Sequence, residues 1–208
     1  YFGFSDIIWN HITAKTSNHK NTFLINPFGL RYDEITATNL VEIDLDGNVI
    51  NSNSKINDTG YIIHSAIHKS RKDINCIMHT HSRAGLAISC LSDGLIPMIQ
   101  DSAIFYKRIS YHSWEGMSTE QNECNRLAKS LGKNNSMILR NHGLLTCGST
   151  IPETFMLMYY LDRACKNQID VMSTGMKKDV PTDNIMEYAA NQYEDPRFKL
   201  GVHEWPAL

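Results

Sequence analysis

Apolar and polar positions repeat along this chain with two periods, and their order predicts the elements. Period two, or a short unbroken apolar run, marks a strand. By that rule His11-Ile12-Thr13-Ala14-Lys15 and Phe23-Leu24-Ile25-Asn26 are strands, the second closed by the turn Pro27-Phe28-Gly29. Val41-Glu42-Ile43-Asp44-Leu45 alternates apolar with acidic residues and runs through Asp46-Gly47-Asn48 into Val49-Ile50, the signature of a hairpin. Ile74-Asn75-Cys76-Ile77-Met78, Ser136-Met137-Ile138-Leu139-Arg140 and Leu144-Leu145-Thr146-Cys147 read as buried strands. Helical spacing covers 1–9 (the tail of a helix), 59–71 with Ile63, Ala66 and Ile67 on one face, 83–91, and 119–131 with Ser118 or Thr119 as N-cap. Thr150-Ile151-Pro152-Glu153 has the form of a capping box and opens the longest helix, which runs to about Val171. Its Phe155, Met158, Leu161, Cys165 and Ile169 form one core-facing stripe. Residues 51–58 read as a loop and 99–115 as mixed. Strands alternating with helices predict a layered α/β domain with a mixed sheet over residues 1–173. Beyond Ser173 the composition turns polar, and Pro181, Pro196 and Pro206 punctuate an arm over 174–208, expected to pack on the domain or on a neighbouring subunit.

Composition narrows the partners. A chain of 208 residues can bury a core without staples. The formal net charge is -2 with Lys and Arg dispersed, which leaves no nucleic-acid footprint. No apolar run approaches the roughly 20 residues of a membrane span. Five widely spaced cysteines without a C-x-x-C pair point to buried free thiols in a reducing compartment. With no secretory or transit segment in view, the expected location is the cytoplasm.

The chemistry concentrates in Met78-His79-Thr80-His81-Ser82 and in Arg140-Asn141-His142-Gly143. Residues two apart on a strand share a face, so His79 and His81 can address one point. His142 arrives from a second strand end, and three imidazoles so placed would make an open metal site. Spacing alone also suits hydrogen-bonded surface histidines. Arg140 and Asn141 read as turn and orienting groups for His142. His64 and His68 lie four apart on a helix without the Glu of an H-E-x-x-H motif and read as polar core or surface residues. Asp101, His112 and Glu115 are candidate acids or bases in the mixed segment, and His203 sits near Trp205 in the arm.

The order of these signals resembles the class II aldolase/adducin family, in its adducin-like branch. The matching stretches are Asn10-His11-Ile12-Thr13-Ala14, Phe23-Leu24-Ile25-Asn26-Pro27-Phe28-Gly29-Leu30, His64-Ser65-Ala66-Ile67, residues 74–97, and Leu139-Arg140-Asn141-His142-Gly143-Leu144. The resemblance implies a three-layer α/β/α sandwich with a mixed central sheet. It also implies a divalent metal, usually zinc, held by His79, His81 and His142, a substrate contact at Asn10, and a ring-like homotetramer with sites at subunit borders. Three departures bear on function. The family's aldolases carry a catalytic glutamate where this chain has Gly60, and a proton-donating tyrosine where it has Asp101. A phosphate-cradling Ser-Ser pair falls at Asp58-Thr59, and an aspartate there would repel a phosphate dianion. The expected activity is therefore a metal-dependent lyase or related epimerase acting on a small, unphosphorylated hydroxy-carbonyl or sugar-like compound. The alternative is a non-catalytic, adducin-head-like assembly module that retains the metal site. True adducin heads lack the complete histidine triad, which favours the enzyme.

Overall fold

The computed structural model describes residues 2–17, 21–50, 52–116 and 121–208, leaving aside the side chains of Gln121, Asn122 and Cys124. Among them seven strands, β1 (His11–Lys15), β2 (Thr22–Ile25), β3 (Val41–Asp44), β4 (Cys76–Thr80), β5 (Ile109–His112), β6 (Ser136–Leu139) and β7 (Gly143–Gly148), form one sheet in the order β3-β2-β1-β4-β7-β6-β5. Every neighbouring pair is antiparallel except β5 and β6, which run parallel, so the sheet is mixed.

Side-chain alternation sorts the core onto two faces. Ile77, Met137, Leu139, Leu145 and Cys147 meet Ile63 and Ile67 of α1 (Asp58–Ser70) and Leu127 and Leu131 of α4 (Gln121–Leu131). Their strand neighbours Met78, Ile138 and Leu144 face the other way. There they join Ala84 and Ile88 of α2 (Arg83–Ser89) and Met158, Leu161 and Cys165 of α5 (Ile151–Ser173). Being covered on both sides, β4, β6 and β7 are buried at every position, which is why they read as apolar runs rather than as alternation. The result is the expected α/β/α sandwich.

Both main helices start where their caps stand. Asn57 Oδ1 accepts from the Thr59 and Gly60 amides at 3.2 and 3.4 Å, closing the first turn of α1. Thr150 Oγ1 accepts from Glu153 N at 3.2 Å, but the Glu153 carboxylate returns to Ser149 N at 2.8 Å, one residue before the position a capping box would use. The predicted cap at Ser118 or Thr119 lies outside the described residues. After α5 the chain forms α6 (Asp183–Tyr193), which buries Met186 and Ala190 against the domain near α3 (Gln100–Ala103). Arg108, at the foot of β5, binds Glu194 at 2.6 Å and Asn191 at 2.7 Å, and Trp205 packs edge-on to Phe155 at 5.6 Å.

Three expectations are corrected. Residues 2–9 form no helix. Phe2 and Phe4 pack on α5 as an extended strap with period two, and Gly3 and Ile7 take positive φ values of 78° and 49° that no α-helix admits. The hairpin after β3 is reduced to a single bridge, Ile43 to Val49, because Asp44 Oδ1 takes the amides of Asp46 and Asn48 and turns the chain early. Of the cysteines, Cys76, Cys147 and Cys165 are buried as expected, Cys90 is exposed at the end of α2, and Cys124 lies outside the described side chains. No described helix is long and apolar enough to cross a membrane.

Candidate metal centre

The antiparallel register of β1, β4 and β7 places His79 opposite His11 on one side and Leu145 on the other. His79 therefore points to the α1 side, and His81, two residues on, joins it beyond the strand end. His142 comes from the β6–β7 hairpin. Ligand-capable atoms of His79, His81 and His142 all lie within 4.8 Å of one another, and the ring centroids are 4.7, 4.8 and 5.1 Å apart.

The R-N-H-G sequence explains how His142 is delivered. Asn141 occupies the left-handed region at φ 56°, which asparagine tolerates, and its amide donates to Ser89 O at 3.2 Å. Arg140 stacks on Tyr111 at 4.3 Å, and its guanidinium donates to Leu91 O and, at 3.0 Å, to Ser92 O. It is a strut between the hairpin and the end of α2. Gly143, at φ 154°, lets the hairpin touch β4, because a Cβ there would lie 2.5 Å from Thr80 O.

The outward nitrogens of the first two histidines are committed. His79 Nδ1–H donates to Leu144 O at 2.9 Å, and His81 Nδ1–H donates to the Asp6 carboxylate at 2.8 Å. Both partners only accept, so each Nδ1 carries a proton and each Nε2 is the nitrogen turned toward the centre of the triad. Burial first, then His142, His11 and His81, keeps the His79 pKa well below its usual value. Burial, followed by His81 and His112, lowers His142 to about 4. The Nε2 atoms of His79 and His81 nevertheless sit 2.9 Å apart. That separation suits either a shared proton or two lone pairs turned on one cation. The donor set thus fits a divalent ion with imidazole ligands oriented by a carbonyl and a carboxylate.

Asn10 and His112 sit beside the triad, and the other candidates fall elsewhere. Asn10 is 4 % exposed and both ends of its amide are used: Oδ1 accepts from His81 N at 3.0 Å, and Nδ2 donates to Phe4 O. Asp101 pairs with Arg163 of α5 at 2.7 Å, and Glu115 with Arg126 of α4, so neither joins the triad. His112 hydrogen-bonds Ser130 at 3.0 Å and, with Trp114 and Arg140, lines a narrow pocket of about 10 Å³ beside His142. His64 and His68 are fully buried polar core, and His203 is exposed. Asp6 went unnoticed in the sequence, since it lies in a stretch with helical spacing, 75 residues from its partner.

A family model for the class II aldolase and adducin N-terminal domain matches residues 1–169. The chain belongs to the class II aldolase/adducin family. A protein of Pseudomonas aeruginosa provisionally named an aldolase class 2 protein is 47 % identical over 99 % of this chain and 81 % of its own length. Rat alpha-adducin is 38 % identical over the whole chain, which spans 30 % of that protein. Among solved structures, an aldolase II superfamily protein from Pseudomonas syringae superposes with a TM-score of 0.91 at 39 % identity, covering 98 % of this chain and 83 % of the other. An L-fuculose 1-phosphate aldolase from Glaciozyma antarctica does so at 0.82 and 29 %, covering 91 % and 74 %. The resemblance of the sequence to this family, and the α/β fold it implied, are therefore correct.

Proposed function

We propose that this chain is a metal-dependent, aldolase-type lyase acting on a small unphosphorylated hydroxy-carbonyl compound, with a divalent ion, zinc for preference, held by His79, His81 and His142. The observation that carries the reading is the convergence of three imidazoles whose ligand-capable atoms lie within 4.8 Å of one another, with the Nδ1–H groups of His79 and His81 committed to a carbonyl and a carboxylate and their Nε2 atoms facing each other. The bound ion would supply Lewis acidity, polarising a substrate carbonyl. The chain's own part is to hold the imidazoles aimed. Leu144 O and Asp6 fix the rings, and Asn10 clamps the His81 backbone to the end of β1.

Asp58 in the first turn of α1 argues against a phosphorylated substrate, since its charge opposes the anion preference of a helix N-terminus. The small cleft at His142 and the exposed Ile7, Trp9 and Trp114 fit a site completed by another copy, in keeping with a homotetramer. Retro-aldol and epimerisation assays with unphosphorylated hydroxy-ketones and aldehydes, with and without zinc, test the activity. Turnover above a His142→Ala control is expected. A second reading, an adducin-head-like assembly module that retains the metal site, draws support from what the triad lacks: among the described residues no Asp, Glu or Cys joins the three histidines. Absence of turnover with any substrate would favour it.

A further inference from the structure

Behind the triad runs a line of buried polar groups that the metal reading does not use. His11 Nδ1 lies 3.0 Å from His64 Nε2, His64 Nδ1 lies 2.8 Å from Thr13 Oγ1, and the same hydroxyl lies 3.0 Å from His68 Nε2. His11 is 3 % exposed, and Thr13, His64 and His68 are wholly buried. With only imidazole and hydroxyl side-chain partners and no carboxylate among the described residues, each buried ring carries one N–H and one lone pair.

The far end sets the direction. His68 Nδ1 has no hydrogen-bond partner among the described residues, and the backbone of Ile74 acts on the ring in the direction that raises its basicity, as an accepting carbonyl does. An N–H aimed at a carbonyl oxygen is attracted, whereas a lone pair would be repelled, so Nδ1 carries the proton and His68 Nε2 accepts. The Thr13 hydroxyl then donates to His68 and accepts from His64 Nδ1–H. His64 Nε2 accepts in turn from His11 Nδ1–H. The lone pair left over is on His11 Nε2.

That nitrogen has a defined place. His11 is the cross-strand partner of His79, and the two rings are 5.0 Å apart. On its other side is Gly60, where a Cβ would stand 2.6 to 2.9 Å from three atoms of the ring. Only glycine leaves room for the imidazole against the first turn of α1. The wall of the site nearest Gly60 is thus formed by His11 rather than by a side chain from the helix.

We propose that His11 is a substrate-binding residue of this site: its bare Nε2, aimed by the relay through His64, Thr13 and His68, accepts a hydrogen bond from the hydroxyl of a bound hydroxy-carbonyl ligand. His64, Thr13 and His68 are positioning residues. The assignment rests on the proposed function for its ligand class, while the relay itself can be measured without any metal.

Imidazole ¹⁵N shifts of histidine-labelled, metal-free protein read the tautomers directly. Protonated Nδ1 and bare Nε2 are expected on His11, His64 and His68, and a protonated Nε2 on His11 overturns the relay. For the ligand, cobalt-loaded protein is titrated with hydroxyacetone and with acetone, following the visible absorption of the ion. The wild type should prefer hydroxyacetone, and His11→Ala should lose roughly tenfold of that preference, the scale of one hydrogen bond. His11→Gln, which restores an acceptor, should recover part of it, with the ligand-free cobalt spectrum unchanged in both variants. No preference in the wild type, or a preference kept in both folded variants, overturns the acceptor role. Failure of the wild type to take up cobalt would instead sink the metal reading, and the tautomers would still decide the relay.

Discussion

Asp6 shows how much of the site depends on a residue outside its motifs. Its carboxylate holds His81 by Nδ1–H, so Asp6→Asn should leave the fold intact and weaken divalent-ion affinity by about 10- to 100-fold, measured by competition with a chromophoric chelator. Unchanged affinity would show that the carboxylate does not orient the ring. Gly143 carries the opposite kind of constraint. A methyl group there meets Thr80 O, and Gly143→Ala should cost about 1–3 kcal/mol in chemical denaturation, with weaker metal binding as the hairpin is pushed away. His79 and His81 were legible because period two fixes their shared face whatever the surroundings. Asp6 and His11 were not, since one meets its partner through an irregular strap and the other across a strand pairing that no local pattern announces.

Among the elements, α1 and β1 are joined by imidazoles and a hydroxyl, with His64 and His68 on the helix side and His11 and Thr13 on the strand side. His68 shows the consequence for pH. Burial lowers its pKa from an ordinary 6.5 to about 3 in the folded protein. Below 6.5 the unfolded chain takes up a proton that the folded one refuses, so stability falls as pH falls, and the loss is complete near pH 3. His11 and His64 are shifted in the same direction and steepen the slope. The urea midpoint should therefore drop between about pH 7.5 and 5.5, and a folded His68→Gln variant should show a shallower drop. A midpoint independent of pH over that span would contradict the buried neutral cluster. Elements with one unambiguous signal, an unbroken apolar run in β4 and β7 and a helical period in α5, could be read from the sequence. The strap over 2–9 could not, because its apolar residues satisfy a helical spacing as well as the alternation the fold uses.

For the whole molecule, the layers followed from strands alternating with helices, but the strand order did not. β4 enters the sheet between β1 and β7, and only the packing of two faces selects that arrangement. The arm over 174–208 reads as polar, yet Met186 is 2 % exposed. If the arm folds with the domain, Met186→Ala should lower the stability of one cooperative transition by about 2–5 kcal/mol. A separate early transition would mark the arm as an independent unit. The central claim, that three histidines from two strand ends hold a divalent ion, is tested most directly by elemental analysis of protein purified without added metal or chelator. About one equivalent per chain is expected, abolished in His79→Ala/His81→Ala. Sub-stoichiometric metal, unchanged in that variant, would contradict it.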